Sequence, residues 1–553
     1  MSDAIRKPEE LSDVDYDLPA TGWMDTKTEI KEGNFCYAAK PASLAKLGMP
    51  SPRDWRTKED GDWRPQDEDW KLPKGWKETI HDGMKDRLSR FRSFQLFMDI
   101  CVRCGACADK CHFFIGGGDP KNMPVLRAEL MRSIYRHDHT SLGKVLGKFT
   151  GGRPLTEEVI KEWFIYFYQC TECRRCSVFC PYGIDTAEIT MMGRELLNLV
   201  GLNTDWIHTP IANCYRVGNH LGIEPHTFKD TLEFFAEEIE GVCGVAPYLP
   251  INKKGADVLF VTPSGDYFAD PGTYTLMGYL MLFHYLHEKY GFNYTWSTYA
   301  SEGGNFGLFS SNETMKRLNR KIYAEAERLR IKKFILGGEC GHMWRVLHQY
   351  MDTLNGPAPS NLIDVPTSSI TNTTFDNARS TKMVHITEFT ADLIKHDKLE
   401  LDPSRNDKFR VTFHDSCNPA RGMGLFEEPR YVLRNVCNNF WDMPPNTIRE
   451  QTFCCGAGSG LNTDEILELR MQGGFPRANA VKHVRDLHGV NTLACICAID
   501  RATLSALMEY WSPDVGVCGI HELVGNALIM PGESERTTDL RGNDLQPEQE
   551  EDE

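Results

Sequence analysis

Cys101–Cys111 reads CVRCGACADKC, and Cys170–Pro181 reads CTECRRCSVFCP. Both stretches space their cysteines C-x2-C-x2-C-x3-C: Cys101, Cys104, Cys107 and Cys111 in the first, Cys170, Cys173, Cys176 and Cys180 in the second. Tight backbone turns at this spacing set three thiolates around one face of an iron–sulfur cube and point the fourth away. Zinc sites favour two separated pairs over four cysteines in a short run, so the doubled pattern reads as iron–sulfur.

In two-cluster ferredoxins the fourth thiolate ligates the other cluster. One cubane 4Fe-4S cluster is therefore assigned to Cys101, Cys104, Cys107 and Cys180, and a second to Cys170, Cys173, Cys176 and Cys111. His112 stands where proline is usual and is read as a structural substitution. Arg103, Lys110, Arg174 and Arg175 lie among the thiolates, where cations offset cluster charge and raise the potential.

Around these loops the spacing predicts helices over Met123–His137, Glu157–Tyr168 and Ala187–Leu199, and an acidic helix near Thr227–Glu240. After Gly255 the texture becomes strand–helix alternation. Strands are expected within Ala256–Gly265, Lys333–Gly338, Phe409–Cys417 and Val490–Ile499, with helices over Glu313–Arg330 and Glu465–Asp486 between them. A weak internal repeat runs through this part. Each half has a strand and turn (VTPSG, FHDSC), a Gly-rich turn (EGGNFG, CCGAGSG) and a strand with a terminal cysteine (GECGH, ACICA). Each then closes on a His and Glu near a helix start, His385 and Glu388 or His521 and Glu522.

The chain has 553 residues, 41% hydrophobic and 25% charged, and 19 cysteines. That is globular composition. Met1–Ala20 has no apolar core of the signal-peptide kind, so a reducing compartment is expected and the thiols read as ligands rather than disulfides. Tyr274–Leu286 is apolar but too short to cross a bilayer. A net charge of −16 argues against nucleic acid as a partner.

The expected class is α+β multidomain: a helical two-cluster ferredoxin-like domain followed by two pseudo-repeated α/β cysteine-rich domains. Residues 1–80 form an extended segment with Trp55, Trp63, Trp70 and Trp76 as anchors, and 81–215 the ferredoxin domain. Residues 216–254 are a linker, 255–405 and 406–530 the two α/β domains, and 531–553 an acidic disordered tail.

Five thiols cluster in the last third: Cys417, the vicinal pair Cys454–Cys455 in CCGAG, then Cys495 and Cys497. Neighbouring side chains diverge, which suits neither zinc nor a cubane but does suit a cluster in which one thiolate bridges irons and its neighbour holds one. The C-x36-CC-x39-C-x-C pattern, with FHDSCNPAR and LFEEPR, resembles the CCG domain of heterodisulfide reductase. Two ferredoxin motifs followed by two such domains resemble that family's catalytic iron–sulfur subunit, and within it the DsrK-type subunits of membrane-bound DsrMKJOP complexes. The similarity spans roughly Met84 to Leu523.

The resemblance implies a noncubane 4Fe-4S cluster on Cys417, Cys454, Cys455, Cys495 and Cys497, where a disulfide or trisulfide is reductively cleaved. It also implies a quinol-oxidising cytochrome b partner (DsrM-like) with other complex subunits, and a sulfur-carrier protein (DsrC-like) as substrate. The setting is dissimilatory sulfur metabolism, on the cytoplasmic face of the membrane through protein contacts. The family ends its motif in C-x-x-C; here it is C-x-C. The first copy has Ser264 and Glu302–Gly303 at the thiol positions and keeps only Cys340, so one noncubane cluster is expected. His342, His414 and His521 flank motif positions as proton donors or as turn-fixing residues. Cys36, Cys214, Cys243, Cys437 and Cys518 read as packing residues. Two other readings remain, an electron-transfer subunit of a glycolate or lactate dehydrogenase, told apart by a flavoprotein companion, and a scaffold or sensor, told apart by lack of turnover.

Overall fold

The computed structural model describes residues 36–39 and 72–545, apart from 205, 206, 208, 209, 212, 215, 216, 302, 303 and 463–466. Most of the Trp-rich segment, the vicinal positions Glu302–Gly303 and the last eight residues thus lie outside the described residues. Trp76 opens α1 (Trp76–Arg90) and packs against the helical core. β1 (Cys36–Ala39) pairs in parallel with β2 (Leu202–Thr204).

The helical part is built on α2 (Arg92–Ile100), α3 (His112–Gly117), α4 (Pro124–Ile134), α5 (Glu157–Tyr168) and α6 (Thr186–Leu199). Thr156 and Asp185 cap α5 and α6 with their side chains, which fixes where the helices begin. Every residue of α5 from Trp163 to Tyr168 is buried, so this helix is core on all faces. α6 comes so close that a methyl on Gly193 would stand 2.4 Å from the Phe167 ring.

Next comes α7 (Pro225–Cys243), which corrects the linker expectation for 216–254. Its Phe228, Leu232, Ile239 and Cys243 are buried in the core of the first sheet. The acidic residues that suggested a linker lie on its outer face.

Two parallel sheets follow. The first runs β4 (Tyr294–Trp296), β3 (Val258–Val261), β5 (Phe334–Gly337), β6 (Met383–His385); the second runs β7 (Val411–His414), β8 (Thr492–Cys495), β9 (Gly516–Gly519). VLFV and FILG are apolar runs buried on both faces, as parallel strands under helices must be. The helices of this part include α8 (Gly272–Tyr290), α9 (Asn312–Arg328), α10 (Gly341–Gln349), α11 (Ile386–Lys395), α12 (Glu427–Val436), α13 (Leu467–His488), α14 (Ala498–Trp511) and α15 (Ile520–Ala527). α8 contains the apolar stretch Tyr274–Leu286 and is interior, not membrane-spanning. A methyl on its Gly278 would fall 1.8 Å from the His521 carbonyl, so α8 and α15 fuse the two sheets at near-backbone distance. Among the described residues no helix is long and apolar enough to cross a membrane.

The disordered-tail expectation is also corrected for residues 531–545. Asp539 pairs with Lys408 at 2.7 Å, Leu540 is buried, and Arg541 donates to Glu522 at 2.6 and 3.0 Å. Asp539 and Arg541 each have a partner of opposite charge, which a composition count cannot show.

Candidate functional site

The two ferredoxin-type loops share an unusual backbone. Arg103 and Gly105 have φ of 56° and 80°, and Glu172 and Arg174 have 51° and 61°, two and four residues after the first cysteine of each loop. Left-handed residues interleaved with thiols curl the chain so that successive N–H groups face inward, a cradle for an anion such as a sulfide-rich cube. In the first loop burial pushes the Cys107 thiol up to about 11, with Cys180 and then Cys101 adding to the rise. Cys104 opens on the same hollow. In the second, burial and then Cys170 and Cys111 drive Cys176 up to about 12. The fold thus gathers Cys107 with Cys101 and Cys180, and Cys176 with Cys170 and Cys111.

Buried arginines brace these loops. Arg127 donates to the Tyr166 carbonyl at 2.9 Å and lies 3.8 Å from the Cys111 sulfur. Arg194 donates to the Phe167, Cys170 and Ser459 carbonyls, and Arg132 to those of Met98 and Cys101. Neither set was legible in advance, because their partners are carbonyls far along the chain. Of the cations expected near the clusters, Arg175 is buried and donates to Gln451 and Lys110 carbonyls. Arg174 pairs with Asp185 at 2.8 Å, Arg103 with Glu129 at 2.8 Å, and Lys110 with Asp109. His112 is buried and hydrogen-bonded at both nitrogens, to the Gly473 carbonyl (2.7 Å) and Thr171 Oγ1 (2.8 Å). Burial works to lower its imidazole, but Cys454 and then Cys111 outweigh it and leave it raised.

The vicinal pair meets the second ferredoxin loop directly. The Cys454 thiol is held well below the ordinary range, first by a hydrogen bond from Cys173, then from Cys417 and Cys455. Gly456 makes this turn possible: its φ is 100°, and a side chain would collide with the Arg470 carbonyl at 2.6 Å. The flanking motifs now have a physical reading. Arg430 of LFEEPR binds Asp415 of FHDSC in a two-pronged pair at 2.7 Å each, fixing the loop that carries Cys417. Arg421 of NPAR donates to the carbonyls of Cys173, Thr452 and Glu450, tying that loop to both thiol turns.

The remaining expected residues divide. Cys497 opens α14 and hydrogen-bonds with Cys340, which opens α10. Its thiol is drawn down to about 5, first by Cys340 and then, against burial, by His342. Cys495 ends β8 with its sulfur 3.7 Å from the Cys518 carbonyl. His414 faces Asp500 at 3.4 Å. His521 is held by Glu339 (2.6 Å) and Thr390 (2.8 Å), a structural placement. A cavity of about 260 Å³ opens beside Cys340 and His342, with Phe306, Ala457, Asp270 and Arg501 on its walls. Cys214, Cys243, Cys437 and Cys518 are buried.

Soft thiolates in number, inward-curling backbone and buried guanidinium groups fit iron–sulfur groups in donor chemistry and charge. Among the described residues no three His, Cys, Asp or Glu side chains converge tightly enough for one metal ion.

Residues 97–184 match the family model of the 4Fe-4S dicluster domain. No solved structure matches the chain significantly. The sequence is 51% identical over 540 residues to the Hdr-like menaquinol oxidoreductase iron–sulfur subunit 2 of Archaeoglobus fulgidus, covering 94% of this chain and 95% of that one. It is 48% identical to the Hdr-like menaquinol oxidoreductase iron–sulfur subunit of Archaeoglobus profundus, covering 98% and 99%. More distantly, it is 25% identical to one subunit of the dihydromethanophenazine:CoB–CoM heterodisulfide reductase of Methanosarcina barkeri, over 78% and 94%. Half of its residues shared across nearly the whole of both chains place this oxidoreductase in the family of Hdr-like menaquinol oxidoreductase iron–sulfur subunits.

Proposed function

We propose that this chain takes electrons from a quinol-oxidising membrane subunit and delivers them to a sulfur–sulfur bond held at the vicinal cysteines. The carrying observation is the contact of Cys454 with Cys173: a thiol of the second ferredoxin-type set hydrogen-bonds to the pair expected to work on substrate. The names of its relatives support both ends of the route, menaquinol on one side and a heterodisulfide on the other.

In this reading Cys101, Cys104, Cys107 and Cys180 hold one cubane 4Fe-4S cluster, and Cys170, Cys173, Cys176 and Cys111 the other. Cys417, Cys454, Cys455 and Cys497 hold a noncubane cluster, with Cys495 or another thiol as fifth donor. When bound, these groups carry one electron at a time and offer iron to a substrate sulfur. The protein supplies the rest. Arg421 and Arg430 fix the thiol turns, and the cavity beside Cys340 admits a narrow, mostly apolar arm while His342, Asp270 and Arg501 give it polar contacts. The balance is quinol → quinone + 2 H⁺ + 2 e⁻ on the membrane side, and R–S–S–R′ + 2 e⁻ + 2 H⁺ → RSH + R′SH here; a trisulfide takes two quinols, R–S–S–S–R′ + 4 e⁻ + 4 H⁺ → RSH + R′SH + H₂S.

The substrate proposed is a sulfur-carrier protein of DsrC type presenting a cysteine-linked trisulfide, in dissimilatory sulfur metabolism. The chain docks on the cytoplasmic face through a cytochrome b subunit. Residues 255–405 and 406–530 act as a thiol-poor and a thiol-rich copy of one α/β unit. Iron analysis and EPR on anaerobically purified protein test this: roughly twelve irons per chain, four for each cluster, are expected. Added disulfide or thiol should change one signal and leave the two cubane signals alone. Irons for two cubes only, with no turnover of a trisulfide by reduced viologen, would refute the reading.

A further inference from the structure

The five thiol positions of the second half lie in one neighbourhood, and the sulfur of one is turned aside. Cys417 and Cys455 both contact Cys454, and Cys497 stands at the first turn of α14 close to the same Asp500 that hydrogen-bonds Cys455. Cys495 shares an apolar cluster with the vicinal pair, but its sulfur is directed to the Cys518 carbonyl on the neighbouring strand, 3.7 Å away. A thiol can donate there.

Cys340 is placed as Cys497's counterpart. The two residues precede α10 and α14 with nearly the same backbone, φ −136°, ψ 107° and φ −148°, ψ 128°. The start of α10 is enclosed by every thiol-bearing turn of the other half. A methyl on Gly341 would lie 2.7 Å from Pro419 and 3.4 Å from the Cys497 sulfur, and one on Gly458 would lie 3.5 Å from the His342 ring. Arg345 of α10 donates to Asn418, the neighbour of Cys417, at 3.0 Å. Cys340 and Cys497 are 3% and 2% exposed, so they meet out of water. Beside them His342, 4% exposed, has no well-aligned partner at either ring nitrogen and faces the same cavity.

We propose that Cys340 supplies the fifth thiolate of the irregular cluster in place of Cys495, so that the centre is closed by both halves of the molecule. The proposal rests on the reading of Cys417, Cys454, Cys455 and Cys497 as cluster ligands. It accounts for the survival of one cysteine in a half whose other thiol positions are Ser264, Glu302 and Gly303.

The test compares Cys340→Ala, Cys340→Ser and Cys495→Ala in the anaerobically purified full chain, by iron per chain and EPR. The cubane signals report that the fold is intact. Cys340→Ala is expected to lose up to roughly four irons, one cluster's worth, with the substrate-sensitive signal, while Cys495→Ala keeps both. Cys340→Ser, which retains an oxygen donor, should keep iron but shift that signal. Loss in Cys495→Ala with full retention in both Cys340 variants would overturn the proposal and leave the cluster itself standing. A wild-type protein holding only the cubane irons would instead remove the reading on which it rests.

Discussion

His385 and His521 follow the last strand of the first and second sheet, at the start of α11 and α15, and their surroundings are opposite. Burial pushes His385 down to about 3; its Nδ1 accepts from the Thr387 N–H and its Nε2 has no partner. His521 is hydrogen-bonded at both nitrogens, and its acid partner, Glu339, belongs to the first half. Arg501 of the second half pairs with Glu339 at 2.7 Å and with Asp266, both from the first half and both fully buried. The first half thus gives its acids, and the second its bases, to one water-free junction. The comparison teaches that the thiol-poor half serves as a wall against which the thiol-bearing half is fixed.

The sharpest way to break this comparison is to treat equivalent positions alike. Cys417→Ser should lower trisulfide reduction by on the order of 10³-fold, the scale lost when a reacting group is removed. Ser264→Ala, at the matching place in the first half where the hydroxyl meets His220 at 2.9 Å, should change it by less than about twofold. Equal losses would mean that both halves still carry the chemistry. Next in size is the junction. Arg501→Met leaves Glu339 and Asp266 as buried uncompensated acids, a loss of about 3–5 kcal/mol, read as a large fall in thermal midpoint. Adding Glu339→Gln and Asp266→Asn should restore most of it, since the charges then vanish together. Arg430→Lys is smaller: a single-point cation replaces a two-pronged one on Asp415, and a loss of about 1–3 kcal/mol is expected.

What could be seen from the chain follows the range of each interaction. The ferredoxin-type thiols lie in runs whose spacing is itself the geometry, and the helices over Glu157–Tyr168 and 186–199 follow from local periodicity. β4 (YTW), β6 (MVH) and β9 (GVCG) lack an apolar run to detect. Arg127 and Arg194 carry no signal in the sequence because their carbonyl partners are set by packing. The same holds for Glu339 and Arg501, which are 162 residues apart. Cys340 was visible as a lone survivor, but its approach to Cys497 depends on how two sheets are docked, and no spacing encodes that. The acidic face of α7 and the charges of residues 531–545 misled for one reason: composition records charges without their partners.

Glu388 and Glu522 offer the finest version of the comparison, since both follow those histidines. Glu522 is buried but has Arg541 within 3.0 Å. Glu388 is half-buried without a cation; Asn377 donates to one oxygen at 2.9 Å and the other has no partner. Burial raises Glu388 from 4.5 to about 7. Between those values the folded chain holds a proton that the unfolded chain has released, so stability falls as pH rises through this window and is level above it. A shift of that size carries about 3 kcal/mol, and solvent screening at a half-buried site trims it to about 1–2 kcal/mol. Glu388→Gln should therefore leave thermal stability unchanged near pH 5 and raise it by that amount near pH 8. Glu522→Gln should lower it near pH 8 by stranding Arg541. A Glu388→Gln gain that is the same at both pH values would show that shape, not charge, sets the difference between the two glutamates.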